Sequence, residues 1–261
     1  MLLAAAAKLQ TALLRKNQLR NQFSADQGLD TITRLCYKMT MKLAQLKEFR
    51  VQRRQTQEEA SRRLGVSQEY LSMLESGRRR PSPKLAQKLM RMYHLPATVL
   101  PVQVSTACAD VTDEHLAREL ASLGYPRYAH LPKTKKLNPA EFLLLALSQR
   151  NLEARTAEGL PWVVLRYPDM DFDWLVPQAR MKLLQNRLGF TVTLAREVSR
   201  NDALRGPERA LDESKLAKED SFCRELSGPE RRWLQEHSSD EARHWNLLSD
   251  LRADVLRYAA A

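Results

Sequence analysis

The chain has 261 residues, 43% of them hydrophobic and 28% charged, a balance ordinary for a folded protein and too apolar for wholesale disorder. Its longest uncharged apolar runs, Met1–Ala7 and Phe142–Leu147, fall short of the roughly 20 residues that a transmembrane helix needs. The net charge of +11 is unevenly spread: residues 41–100 carry 13 basic and 5 acidic side chains, whereas residues 101–261 are nearly neutral. A basic block of that density leads us to expect a polyanionic partner, most often nucleic acid. Cys36, Cys108 and Cys223 stand far apart with no C-x-x-C pair. That argues against a disulfide framework or a structural zinc site, and the expected setting is reducing and intracellular.

Residues 1–38 read as an N-terminal extension, mobile or helical, to which no function is assigned. Its apolar stretch precedes Lys8, Arg15 and Lys16, the reverse of the order in a secretory signal. Residues 39–95 show dense helical periodicity with short breaks. A first helix is expected over about 41–53, with Leu43, Leu46 and Phe49 on one face. Thr56 and Glu59 form a capping box for a second, which Gly65 ends at Leu64. Ser67 opens a third, carrying Leu71 and Leu74 inward, and Gly77 ends it. Ser82 precedes Pro83, a favoured first helical residue, and the fourth helix runs to about Tyr93.

Residues 96–111, with Pro96, Pro101 and small polar side chains, read as a linker. Residues 112–261 again read as helical. A helix over 112–123 ends at Gly124. Asn138-Pro139-Ala140-Glu141 starts another, expected to end near Gly159. Asp171 or Asp173 begins a long segment through Val198, with Gly189 as a kink or break, and Ser227-Gly228-Pro229-Glu230 is a further capping box. Only Trp162–Arg166 and Phe190–Leu194 have strand-like composition. The fold class read from this pattern is all-α.

The segment from Thr56 to Gly77 is two helices joined by the tight turn Gly65-Val66-Ser67. Such a unit can lay its second helix in a DNA major groove, which is wide enough for one α-helix. The start of that helix offers Gln68, Glu69 and Ser72 outward, while its inward positions are apolar.

Residues 42–95 resemble the XRE family, the helix-turn-helix proteins of phage repressor and Cro type. The matching positions are Arg50, Thr56-Gln57-Glu58-Glu59, Leu64-Gly65-Val66-Ser67, Leu71, Leu74-Glu75, Gly77 and Pro81-Ser82-Pro83. The resemblance implies a lambda-repressor-like domain of four or five helices; the helical residues 112–261, which the resemblance does not cover, are expected to form a C-terminal domain for dimerisation, effector sensing or partner binding. It implies that Thr56 and Gln57 meet a DNA phosphate, with Gln57 also bracing the reading helix. It places Ser67 among the DNA-binding residues, Gln68 and Glu69 at base edges, Tyr70 at sugar or phosphate, and Ser72 and Met73 along the groove. Arg78-Arg79-Arg80 and Lys84 would hold the backbone. Arg50 and Glu75 sit where the family has a partly buried ion pair, read here as structural. Arg54 and Gln55 depart from the usual Gly and apolar residue, and Ala60-Ser61 from Leu-Ala. The implied partner is double-stranded DNA, bound by a homodimer in a bacterial or phage cytoplasm. The implied activity is transcriptional repression. The alternative is an antitoxin that represses its own operon and holds a toxin through its C-terminal domain.

Other constellations carry less. Asp169, Asp171 and Asp173 lack the Gly and Glu of a calcium loop, Trp174 and Arg180 standing in those places, and read as a helix cap. Arg231 or Arg232 with His237 has a spacing that some helical ribonucleases share, and it reads as a solvated helix face. Trp162, Trp174, Trp233 and Trp245 read as core. The run Leu183–Phe190 suits either core or self-association. No catalytic set, metal ligand set or cofactor loop is recognised.

Overall fold

The computed structural model describes residues 46–100, 102, 111–134 and 136–256. The expectations placed on residues 1–38, on Leu43, on Cys36 and Cys108, and on most of 101–111 lie outside the described residues. The structure is mostly helical. Helix α1 covers 46–52, followed by α2 (Gln57–Leu64), α3 (Gln68–Glu75) and α4 (Pro83–Tyr93). These pack around Leu46, Leu64, Leu71, Leu74, Leu85 and Leu89, all buried.

A 3-10 turn, Ala97–Val99, follows α4 and is itself buried. Asn138 Nδ2 donates to Leu100 O (2.7 Å), and Thr98 Oγ1 donates to Asp169 Oδ2 (3.2 Å). The N-terminal helices are thereby tied to the rest of the chain by hydrogen bonds, inside the stretch expected as a linker.

Beyond this turn come α5 (Asp113–Leu123), α6 (Pro139–Leu147), α7 (Ala154–Arg166), α8 (Phe172–Met181), α9 (Gln185–Ser199) and α10 (Arg205–Asp212). Then follow β1 (Asp220–Ser221), α11 (Gly228–His237), α12 (Asp240–His244), β2 (Leu247–Leu248) and α13 (Ala253–Leu256). Helix α9 is the axis of this part: every residue from Gln185 to Ala195 is buried, and α7, α8, α10, α12 and α13 all pack on it. The buried Arg187 guanidinium forks onto Asp220 (2.8 and 2.9 Å) and donates to Leu147 O and Gln149 O (3.0 and 2.9 Å). One side chain thus joins α6, α9 and β1. A buried charge demands such full pairing.

Several expectations are corrected. The helix begun at Asn138 does not reach Gly159; it ends at Leu147, and α7 starts anew at Ala154. The backbone between them is claimed by other elements: Arg187 takes two carbonyls, Leu152 N donates to Phe222 O, and Asn151 bridges to Cys223. The segment from Asp171 breaks at 182–184, where Leu183 takes φ 57°, and Gly189 lies unkinked inside α9. Trp162–Arg166 and Phe190–Leu194 are helical, because burial on all sides selects the same β-branched and aromatic residues that strands favour. The strand pairing is a two-residue parallel pair, Asp220↔Leu247 and Ser221↔Leu248. Trp162, Trp174 and Trp245 are core, but Trp233 is 48% exposed and stacked on His237. Arg231 pairs with Glu219 while His237 Nδ1 meets its own helix at Trp233 O, so Arg231 and His237 do not converge.

Gly189 has a steric reason. A Cβ there would lie 2.3 Å from Trp245 Cζ3, and the indole is pinned by its Nε1 donating to Thr193 Oγ1 (2.8 Å). Gly189→Ala should therefore destabilise the protein by about 1–3 kcal/mol in urea titration, despite alanine's better helix propensity.

Partial burial, together with a hydrogen bond and repulsion from Glu241, pushes the Glu197 carboxyl up to about 7. The fold then binds a proton that the unfolded chain, titrating near 4.5, has released. Stability should fall as pH rises across that window and stay low above it. Glu197→Gln should flatten this dependence and gain up to about 1 kcal/mol at pH 8, read by urea titration at pH 5 and pH 8.

Candidate nucleic-acid interface

The interface begins with caps. Thr56 Oγ1 accepts from Glu59 N (3.2 Å), and Glu59 Oε2 accepts from Thr56 N (2.9 Å), closing the first turn of α2. These hydrogen bonds hold the Glu59 carboxyl below its usual range. Helix α2 stops at Gly65, whose φ of 70° is left-handed and suits glycine. Lys88 Nζ reaches across from α4 to cap Leu64 O (2.9 Å). After Val66, Ser67 Oγ accepts from Tyr70 N (3.1 Å) and α3 begins.

Helix α3 is eight residues, about 12 Å long at 1.5 Å per residue. Leu71 and Leu74 are fully buried, and Glu75 is buried beside them. Gln68, Glu69 and Ser72 are exposed and Met73 half-buried, at spacings that put them on one outward stripe. Beneath the stripe, Arg50 Nε and Nη2 fork onto Glu75 (2.6 and 3.1 Å), Arg50 Nη1 donates to Gln55 O (2.8 Å), and Gln57 Nε2 donates to Glu75 Oε2 (2.9 Å). Burial alone would raise the Glu75 carboxyl; the hydrogen bonds from Arg50 and Gln57 outweigh it and hold Glu75 below its usual range. The Glu75 hydrogen bond in turn raises the Arg50 guanidinium.

Past α3 the chain turns through Gly77, with Arg79 N donating to Met73 O (3.1 Å). Tyr70 Oη donates to Arg80 O (3.3 Å), so its hydroxyl holds this turn against α3. Arg78, Arg79 and Arg80 are exposed, and Lys84 is exposed on the first turn of α4. The outward residues Thr56, Ser67, Gln68, Glu69, Ser72, Arg78, Arg79, Arg80 and Lys84 are thus all at the surface, with Gln57, Tyr70 and Met73 half-buried. Gln57 and Tyr70 also serve internal contacts. Ala60 is buried without a gap-filling side chain, and Ser61 is buried with its hydroxyl donating to Glu58 O (2.9 Å). Arg54 takes φ 53°, the conformation that the glycine usual in related chains adopts freely. Sequence reasoning missed Lys88; its place one turn after Lys84 on α4 was the available signal.

Breaking the node should be costly. Glu75→Ala leaves the buried Arg50 unpaired and should destabilise the protein by about 3–5 kcal/mol in denaturant titration, whereas Glu58→Ala, which breaks an exposed pair with Arg62, should cost under about 0.5 kcal/mol.

Comparison with known proteins matches residues 46–100 to the helix-turn-helix family. An uncharacterized HTH-type transcriptional regulator of Archaeoglobus fulgidus is 45% identical over 49 residues, which are 19% of this chain and 69% of that protein. No solved structure matches the chain significantly. Among the described residues no helix is long and apolar enough to cross a membrane. The ordered caps, the left-handed turn at Gly65 and the Arg50–Glu75 node lie within the matched segment, and with them the chain belongs to the XRE-type helix-turn-helix family of DNA-binding transcriptional regulators.

Proposed function

We propose that the chain is a sequence-specific repressor that reads an operator through α3. The observation that supports this is the division of α3: a buried inner face locked by Glu75, and an outward polar stripe flanked by exposed basic side chains. Gln68 is suited to adenine, whose N6 and N7 it can meet in bidentate fashion, and Glu69 can accept from cytosine N4. Ser72 and Met73 continue along the groove, Met73 against a thymine methyl. Thr56, Gln57, Ser67 and Tyr70 meet the phosphates at the groove's edge, together with Arg78, Arg79, Arg80 and Lys84. The phosphate contacts set affinity and register, and the base contacts set sequence.

One eight-residue helix spans only a few base pairs, so useful specificity calls for two half-sites about one helical turn apart, bound by a symmetric dimer. The helices from α5 onward supply the dimer contacts. Occupying a promoter in this way blocks polymerase, which makes repression the outcome.

Random-oligonucleotide selection with the full chain at about 0.15 M salt should enrich a two-fold symmetric consensus. Gln68→Ala should relax one position of each half-site and cost about 1–3 kcal/mol. Arg78→Ala with Arg79→Ala should weaken all sequences alike and flatten the salt dependence. Enrichment of no sequence would overturn the reading.

A further inference from the structure

Where α4 meets the C-terminal helices there is a partly enclosed cleft of about 840 Å³, lined from one side by the last two turns of α4 and from the other by Lys133, Thr134, Lys136 and the end of α7. That volume is in the range of small-molecule pockets, which run from about 300 to 1,000 Å³. Its charge is one-sided. Arg91, Lys133, Lys136 and Arg166 line it against a single carboxylate, Asp169, which is already engaged by Thr98. Among the described residues none of these four cations makes a salt bridge. Partial burial of its ammonium, with the neighbouring Lys133 and Arg166 charges, lowers Lys136 from its usual value.

The cations are positioned. Thr134 N donates to Ser122 Oγ (2.7 Å) and Thr134 Oγ1 donates to the buried Glu119 (2.7 Å), fixing Thr134, next to Lys133, to α5. Arg166 lies over the Tyr167 ring. Gln87, one of the lining residues, also carries a buried donor: its Nε2 is shielded from solvent and has no hydrogen-bond partner among the described residues. Buried orphan donors are rare and mark a place for an absent acceptor. Met90, Leu95 and Tyr167 supply apolar wall beside the charges.

We propose that this cleft is an effector site for a small organic anion, one carrying a phosphate or carboxylate group on an apolar body. The anionic group sits among Lys133, Lys136 and Arg166 and accepts from Gln87, and the apolar body lies against Met90 and Tyr167. The hollow beside the α3 turn that Lys84 and Lys88 line shares no residue with this cleft, although Arg91 lies on the same face of α4 as those lysines, and DNA reaching the cleft is one outcome of the test below. The anion site itself stands without the repressor reading; only its naming as an effector site rests on that reading.

The test uses the full chain, with inorganic phosphate and phenyl phosphate as probes and sodium chloride of equal ionic strength as control. Phenyl phosphate at about ten times its Kd should raise Tm by about 2–4 °C, and inorganic phosphate by less. The double variant Lys133→Ala, Lys136→Ala, shown by circular dichroism to be folded, should lose the shift. Gln87→Ala should weaken it, and Arg78→Ala should leave it intact. No shift beyond the chloride control, or an equal shift in the double variant, would overturn the proposal. So would a double variant that binds phenyl phosphate normally but loses DNA affinity with a shallower salt dependence, which would make the cleft part of the DNA grip. Because the thermal shift is read without DNA, failure of operator selection leaves this result standing, and the two readings fail separately.

Discussion

The N-terminal helices depend on one buried carboxylate. Glu75 ends α3 on its inner face, where an unpaired charge would be costly, and it is met by two nitrogens of Arg50 from α1 and by the amide of Gln57 from α2. Three helices are therefore referenced to one point. Arg50 extends the arrangement to the α1–α2 loop through Gln55 O. The consequence reaches the opposite face of α3. Orientation is fixed from beneath by Glu75, Leu71 and Leu74, so Gln68, Glu69 and Ser72 carry no packing duty. A helix whose pose is set entirely from its back can vary its front without unfolding, and this separation lets one scaffold read different sequences.

The C-terminal helices repeat the device in other residues. Arg187 is buried on α9, paired by a fork with Asp220 and completed by two carbonyls. Like Arg50, it offers a planar array of donors that matches a carboxylate and neighbouring carbonyls together, which an ammonium could not do in one plane. In both places a buried arginine fixes the relative placement of segments that hydrophobic contact alone would leave free to slide. The remainder of α9 is held by shape: Trp245 lies flat where Gly189 has no side chain, and its indole N–H is spent on Thr193.

What was legible in the sequence follows from the range of the interactions responsible. Caps are local, so Thr56, Ser67, Ser82, Thr112, Asn138 and Ser227 each marked a helix start that the structure shows. Gly65 and Gly124 likewise marked ends. Breaks caused by distant partners were not legible. Nothing near Leu147 signals that Arg187, forty residues on, will take its carbonyl. Composition misled in α7 and α9 because complete burial imposes the same side chains on a helix as on a strand. In the candidate interface the order of polar and apolar positions was readable, and so was the Arg50–Glu75 pair. Lys88 was readable only as a basic residue one turn after Lys84; that it meets a carbonyl of a different helix was not. The cationic cleft was equally hidden: Arg91 comes from α4, Lys133 and Lys136 from the stretch before α6 and Arg166 from α7, and only the fold brings them to one hollow.

Helix α4 belongs to both surfaces. Its Lys88 closes the end of α2, directly before the turn that sets α3, and its last two turns form one wall of the cleft. Leu85, Ala86 and Leu89 bury the middle of the helix, and its C-terminal carbonyl at Met92 is held by Arg53, so one helical rod joins the two surfaces. A ligand in the cleft can influence the reading helix only to the extent that it binds two poses of that rod with different affinity. Among the described residues, hydrogen bonds from Asn138 to Leu100 and Thr98 and from Thr98 to Asp169 join the regions at the turn that follows α4. A small rotation of α4 about that turn would alter the distance between the α4 and α7 sides of the cleft, which is the coordinate that an anion gripped from both sides would fix.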